Sequence, residues 1–414
     1  MTEKTKGLIL FTKMFPFDTG ETFIENEIDI AARHYNTVLI LACQVCRPDI
    51  RRETPENTRA FSLMKLGKFK LFAYMIFALF KGIATRRLTG EWKSAQCDSL
   101  KKKGFAWYYY AKTVYMAQKA GRILTKIINK DTVYDVYSYW LFDTASAAAD
   151  VYHRLLPAEN RGKLVSRAHR YDLYAYANPL DYLPDREWLL RRLDAVFPCS
   201  ADGTAYLQEQ YPPYADKIRT AYLGTADSGA NPASDAQTLR LATCSYLVPV
   251  KRVDRVVTLI ELARQAGLSV YWDCFGDGSE METIKAACLN RLEPDTVTFH
   301  GKVSNSEVLR YYRENPIDLF LNVSQNEGLP VSIMEAMSFG IPVIATDVGG
   351  TREIVDGAGV LLKEDFTDQE LLEPVLAYRK LSPQEVAQLR RTTRGVWQKR
   401  FDKETNYREF YAGL

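Results

Sequence analysis

Short apolar runs alternate along this chain with longer stretches whose apolar residues recur at helical spacing. That alternation predicts an α/β protein with parallel strands. In the first half the runs predict strands at Lys6–Thr12, Thr37–Cys43, Val133–Tyr139, Lys163–Ser166 and Asp194–Ser200. In the second half they predict strands at Thr238–Tyr246, Ser269–Phe275, Thr296–Gly301, Asp318–Val323 and Ile341–Thr346. Helices are predicted at about Thr22–His34, Ala145–Leu155, Pro330–Phe339, Asp368–Arg379, Pro383–Lys399 and Lys403–Tyr411, with others after Val250 and after Gly349–Gly350. Ser200 ends its strand where a hydroxyl would cap the next helix. Thr19 and Gly20 suggest a flexible turn at the entry to the first helix. Thr220–Asp235 gathers Gly, Asn, Pro, Ser and Asp, the loop signals of a boundary between two lobes. The chain shows no repeat and no low-complexity tract.

One region departs from this rhythm. Between Phe61 and Leu124 the strand signal fades, Leu71–Phe80 is apolar on nearly every face, and Trp107–Tyr110 is an aromatic cluster. Lys65–Lys103 holds ten Lys/Arg against Glu91 and Asp98, a local charge of +8 in a chain of net +3. An interfacial helix on an anionic membrane fits this mixture. A helical hairpin packed on the first domain, with its lysines in water, fits it equally.

Composition bounds the function. A chain of 414 residues suggests two or three domains, and 47% apolar with 25% charged residues is a globular composition. A net charge of +3 is too small to argue for nucleic acid. No run of about 18 uncharged apolar residues suggests a spanning helix. GLILFTKMF near the start reads as a first strand rather than a signal peptide. Seven scattered cysteines suit thiols in a reducing cytoplasm; Cys43 and Cys46 lack a second pair, so no metal set is expected.

The most informative stretch is Asp318–Asp356, DLFLNVSQNEGLPVSIMEAMSFGIPVIATDVGGTREIVD. It reads as strand, loop, helix, strand, loop, helix. Pro330 suits a first helical residue and Gly340 a helix stop. Two helix N-termini then meet one sheet edge, where a crevice for an anion is expected. Glu327 sits in the loop, and Glu335 lies eight residues on in the helix. This element resembles the E-x(7)-E signature of the retaining GT-B glycosyltransferases of family four, and GIPVIATDVGGTREIV resembles that family's donor loop.

The resemblance implies two Rossmann-like lobes facing each other across a donor-binding cleft. The domain expectation is an acceptor-side lobe at 1–222 with a helical insert at about 61–128, a nucleotide-sugar lobe at 236–394, and a terminal helix at 395–414 crossing back. It implies that Gly328, Leu329 and Pro330 meet the donor diphosphate, that Glu335 holds the ribose, and that Glu327 takes sugar hydroxyls beside the anomeric carbon. It places Gly20 near the donor phosphate, Gly276 at a similar turn, and Lys302–Val303 by the nucleobase. His169 and Asp172 resemble the family's His-Gly-x-Asp, with Arg170 in the glycine's place; the imidazole would meet an outer sugar hydroxyl. The family has Gly-Arg where this chain has Ser245–Tyr246. Lys251 matches the family lysine that neutralises the leaving diphosphate, and Arg252 or Tyr246 would stand in for the missing cation. His300, inside a strand, reads as packing.

The expectation is therefore a retaining, metal-independent hexosyltransferase that uses no cofactor beyond its nucleotide-sugar donor. It would act on a glycan or lipid-linked glycan acceptor in polysaccharide biosynthesis, in the cytoplasm or peripherally on the inner membrane face, with no nucleic-acid partner. Two alternatives share the architecture, a catalytically silent glycan-binding subunit and a nucleotide-sugar epimerase. A dehydrogenase is disfavoured, because the first loop offers one glycine where G-x-G-x-x-G is needed.

Overall fold

The computed structural model describes residues 4–64, 67–234 and 237–414, and for Lys68 the backbone only. Lys65, at the start of the basic stretch, and Asp235 and residue 236, at the lobe boundary, lie outside the described residues. The chain divides into two compact units, Met1–Tyr222 with Tyr407–Leu414, and Leu223–Asn406.

The N-terminal unit is built on six parallel strands: β1 (Thr5–Thr12), β2 (Thr37–Val45), β3 (Thr58–Met64), β4 (Thr132–Ser138), β5 (Arg161–Ala168) and β6 (Ala195–Pro198), in the order β3-β2-β1-β4-β5-β6. Their side chains are apolar in both directions because helices cover both faces. Ile9, Phe11, Leu39 and Val136 enter one core, while Leu8, Leu10, Val38 and Tyr137 enter the other. The order reverses between β1 and β4, so a switch point opens where Thr12 and Ser138 end their strands. The first helix begins as a 3-10 turn, Thr22–Ile24, and continues as Glu25–His34. The left-handed residues of the preceding loop are Asp18 and Glu21, not Gly20. Ser200 caps the following helix, accepting from Gly203 N at 3.0 Å.

The unusual region resolves differently from its sequence reading. Its first residues form β3, an edge strand. Helices Lys68–Ala84 and Arg87–Trp92 follow, and then the long helix Leu100–Ile127. The far end of that long helix is a true crossover: Met116, Ala120 and Leu124 are buried in the main core of the unit. Only the stretch before it projects as an insertion.

The C-terminal unit repeats the plan with β7 (Leu239–Cys244), β8 (Val270–Phe275), β9 (Val297–Gly301), β10 (Leu319–Asn322), β11 (Val343–Thr346) and β12 (Gly359–Leu362), ordered β12-β11-β10-β7-β8-β9 and all parallel. The switch point falls between β7 and β10, where Leu241 pairs with Leu319. The final helix, Lys403–Ala412, starts in this unit, with Asn406 Nδ2 on Leu223 O at 2.9 Å. It ends in the other, where Tyr411 donates to buried Glu27 at 2.8 Å. Among the described residues no helix is long and apolar enough to cross a membrane, and no cluster of His, Cys, Asp or Glu could hold a metal.

Candidate functional site

The β7/β10 switch point gathers polar side chains from segments far apart in sequence. Lys251 closes a short 3-10 turn, Pro249–Lys251, just beyond β7. Its ammonium donates to Glu327 Oε1 at 2.6 Å. The same oxygen accepts from Asn322 Nδ2, at the end of β10, at 3.1 Å. Glu327 is buried, whereas Lys251 remains partly open to solvent. The carboxylate is therefore held by two donors in a fixed orientation, and a lysine is held above it.

The loop after Glu327 is shaped from beneath. Gly350 N donates to Gly328 O at 2.8 Å. Gly349 lies at φ +52, and a Cβ there would stand 2.1 Å from the Glu327 carbonyl oxygen, so only glycine allows this approach. The N–H groups of Gly328 and Leu329 find no acceptor among the described residues, and they stand at the start of the helix Val331–Ser338. Unpaired donors at a helix N-terminus favour an anion. Pro330 is the residue before this helix rather than its first, with ψ 101. Gly340, at φ +73, follows the helix end.

Glu335 lies in the buried face of that helix. It accepts from Asn305 Nδ2 at 2.8 Å, which ties it to the start of the helix Asn305–Glu314, two residues after Val303. Burial pushes its carboxyl up to about 7, partly opposed by the Asn305 hydrogen bond. At neutral pH this group stands between its acid and its anion.

Tyr246 and Gly276 are neighbours at the ends of β7 and β8. Ser245 N donates to Phe275 O at 3.1 Å, and Gly276, at φ +131, sits where a Cβ would strike Ser245 O at 1.8 Å. The Tyr246 side chain is largely exposed. Arg252 does not join this group. Its guanidinium donates to the carbonyls of Val323 at 2.7 Å, Glu364 at 2.8 Å and Ser324 at 3.3 Å, and stacks over Phe366. A left-handed backbone at φ +48 turns it under the loop, so the expectation that it replaces a missing diphosphate cation gives way to a scaffold role. His300 packs, stacked on Phe275 at 4.1 Å and hydrogen-bonded to Asp273 at 2.9 Å.

In the N-terminal unit His169 follows β5 at its C-terminal end. Its ring stacks on Tyr139 at 4.8 Å and lies tilted against Trp140 at 4.7 Å. Both ring nitrogens are out of solvent and unpartnered among the described residues. Burial lowers its pKa well below the ordinary value, with Arg167 and Lys13 adding to the effect, so the ring is neutral. Asp172 accepts the backbone N–H of His169 at 2.7 Å and that of Leu141, fixing the turn without the glycine that Arg170 replaces. Lys13 lies over the Trp140 ring at 4.1 Å. Glu21 accepts the N–H groups of Lys13, Met14 and Phe15, whereas Gly20 contributes its carbonyl to Arg52. Lys112 donates to buried Asp143 at 2.5 Å, beside Gln44. Sequence reading passed over Asn322, Asn305, Lys13 and Lys112. The one local signal was a polar residue directly ending an apolar strand, which Lys13 and Asn322 both satisfy.

Residues 231–391 match the family model of glycosyl transferases group 1. Among curated proteins, the chain is 28% identical over 167 residues to the GtfA subunit of a UDP-N-acetylglucosamine--peptide N-acetylglucosaminyltransferase of Streptococcus pneumoniae, covering 39% of this chain and 32% of that protein. It is 24% identical over 263 residues to the putative colanic acid biosynthesis glycosyltransferase WcaL of Escherichia coli K12, covering 61% and 64%. The chain thus spans less than two thirds of the length of either relative. Among solved structures, Anabaena HepE in complex with UDP-glucose superposes with a TM-score of 0.64 at 16% identity, covering 98% of each chain. Sucrose-phosphate synthase from Thermosynechococcus elongatus gives a TM-score of 0.70 at 16% identity, covering 99% and 100%. These superpositions show a shared fold.

Proposed function

We propose, from the match of residues 231–391 to the glycosyl transferases group 1 model and from the GT-B fold, that the chain is a retaining, metal-independent glycosyltransferase. It would move a sugar from a nucleoside diphosphate sugar to a glycan or lipid-linked glycan in polysaccharide assembly, working peripherally at the inner membrane face. The observation that carries this reading is the Lys251–Glu327–Asn322 cluster, set beside the unpaired N–H groups of Gly328 and Leu329. A diphosphate needs cations and N–H donors, and vicinal hydroxyls need carboxylate acceptors. This sheet edge supplies both within one short loop.

Each group then has a task. Gly328, Leu329 and Lys251 receive the diphosphate and stabilise the charge that builds on it as the anomeric bond breaks. Glu327 accepts hydroxyls of the transferred sugar, and Glu335 accepts the ribose. In the N-terminal unit the neutral ring of His169, whose nitrogens lack protein partners, is assigned to a sugar hydroxyl. We assign deprotonation of the acceptor to the departing phosphate, whose oxygen takes the hydroxyl proton as the bond between it and the anomeric carbon breaks.

The test is a thermal-shift panel of UDP, GDP, ADP and NAD without metal, on wild type and Lys251→Ala. The UDP-glucose complex of HepE makes UDP the first candidate. One diphosphate at a hundred times its Kd should add about 2.7 kcal/mol and raise Tm by about 5–10 °C, and the substitution should shrink that shift. A shift with NAD alone would refute the reading. The exposed Tyr246, a neutral side chain, favours a second one, a subunit with weak or silent catalysis. A panel with no shift from any diphosphate would support it.

Glu335 adds a pH signature. Ribose hydroxyls donate to the ionised carboxylate, and burial holds the free carboxyl up to about 7. Donor affinity should therefore fall as pH drops through 7, by about tenfold per unit once the acid dominates, and level off above it. Calorimetric titration from acid to mildly alkaline pH reads this directly. Glu335→Gln should flatten the profile, and a flat wild-type profile would remove Glu335 from the donor site.

A further inference from the structure

We propose that the outer face of the helix Lys68–Ala84 docks on an anionic lipid bilayer. The inference takes from the proposed function only a peripheral membrane location, and it names the surface responsible. This helix carries two apolar stripes and needs one of them to fold. The inner stripe packs against the long helix Leu100–Ile127. Tyr74 meets Tyr115 edge-on at 5.1 Å, Met75 O accepts the Trp107 indole N–H at 2.7 Å, and Gly82 lies so close to Tyr110 and Leu88 that a Cβ would clash.

The outer stripe is Phe69, Phe72, Ile76, Phe77, Phe80 and Ile83. Their exposures run from 45% at Ile76 to 96% at Phe69. They recur at helical spacing, so they form one strip along the helix. Four phenylalanines facing water on a single strip are more apolar surface than an unpartnered face ordinarily presents.

Charge selects the occupant. No Asp or Glu stands between Glu56 and Glu91. Lys70 and Arg86 are exposed near the two ends of the strip, and Lys81 is half-buried beside Phe80. An aromatic strip with exposed cations near both ends fits the boundary between acyl chains and anionic headgroups. A second copy of the chain, related by a two-fold axis, would bring these cations against one another. The helix is 17 residues long and carries lysines, so it lies in the interface plane.

The test is vesicle flotation of the full chain with phosphatidylcholine alone or mixed with phosphatidylglycerol. Wild type should partition at least about tenfold better onto the anionic vesicles, and added salt should weaken it. Phe69→Ser/Phe72→Ser/Phe80→Ser changes exposed side chains only and should lower partition by about tenfold or more. Lys70→Glu/Arg86→Glu should abolish the preference for anionic lipid. A triple variant that partitions like wild type would overturn the proposal. So would a wild-type dimer, seen by light scattering, that the triple variant dissolves while neither form binds vesicles. Nucleoside diphosphate thermal shifts on the same variants separate the two readings. Vesicle binding lost with the shift retained assigns the surface, and vesicle binding that tracks the variants in a protein showing no shift strikes the transferase reading alone.

Discussion

Replacing Glu327 by alanine is expected to lower sugar transfer by about 10²–10³-fold while the chain stays folded. The size follows from the site's geometry. Glu327 is buried and held by Lys251 and Asn322, so its free oxygen is pre-aimed and needs little reorganisation to meet a hydroxyl. Alanine removes that acceptor and frees Lys251, which can turn to the diphosphate. Binding of the bare nucleoside diphosphate should therefore hold or tighten as turnover collapses. That split between Kd and kcat distinguishes a sugar contact from a general loss of structure. Because Lys251 remains partly exposed, the stability cost of losing its partner should be small, about 1–2 kcal/mol. Lys251→Ala should weaken diphosphate binding instead, and the double variant should fall short of the product of the two effects, because the residues act as one unit. Undiminished turnover in Glu327→Ala, measured by donor consumption with an acceptor present, would take Glu327 out of the site.

The largest stability effect is expected at Arg87. Its guanidinium is buried against Asp150, at 3.0 Å, and Asp185, and its plane lies 3.4 Å from the centre of the Trp188 ring. Burial opposes its charge, but Asp185 and then Asp150 more than offset this and hold it above its usual range. Among the described residues, Arg87→Ala would leave buried Asp185 with only the Ser146 hydroxyl and buried Asp150 with only the half-exposed Arg154, at a cost of about 3–5 kcal/mol. Arg87→Lys keeps the charge but cannot reach both acids with a planar fork, and should recover only part of the loss. Urea unfolding, followed by a probe in the N-terminal unit, measures both. A loss under about 1 kcal/mol for the alanine variant would show that water or neighbouring donors already satisfy the two aspartates. Arg87 opens the short helix Arg87–Trp92 and its partners lie beyond β4, so the same triad anchors the insertion that carries the exposed aromatic strip.

How much of this was legible in sequence depended on how local each feature is. The run from Asp318 to Asp356 gave its strands and helices almost residue by residue, because buried parallel strands and a Gly-bounded helix are written in neighbouring positions. β3 was missed. Thr58–Met64 is an edge strand with mixed exposure, and its pattern is that of a loop until β2 supplies its hydrogen bonds. The helix Leu100–Ile127 reads whole as insertion in sequence, because its aromatic first half hides the core residues Met116, Ala120 and Leu124. Arg252 and Lys251 are adjacent and equally basic, yet a left-handed residue sends one under the loop and leaves the other on Glu327. Nothing in the order of the letters separates them.

The sequence by itself determined the alternation of strands and helices, the two-lobed plan implied by the family resemblance, and the acid pair with its glycine-rich loop. The alternation and the acid pair rest on spacing within a few residues, and the two-lobed plan rests on the resemblance that those residues carry. The tertiary structure alone decided which groups touch. Lys251 reaches Glu327 across 76 positions because the sheet reverses its order between β7 and β10, and Asn305 reaches Glu335 because the loop after β9 folds toward the same helix. It also decided that one apolar stripe of the helix Lys68–Ala84 is consumed by packing while the other faces out. The number of apolar residues is fixed by composition. Which of them find partners is fixed by the elements that the fold brings alongside.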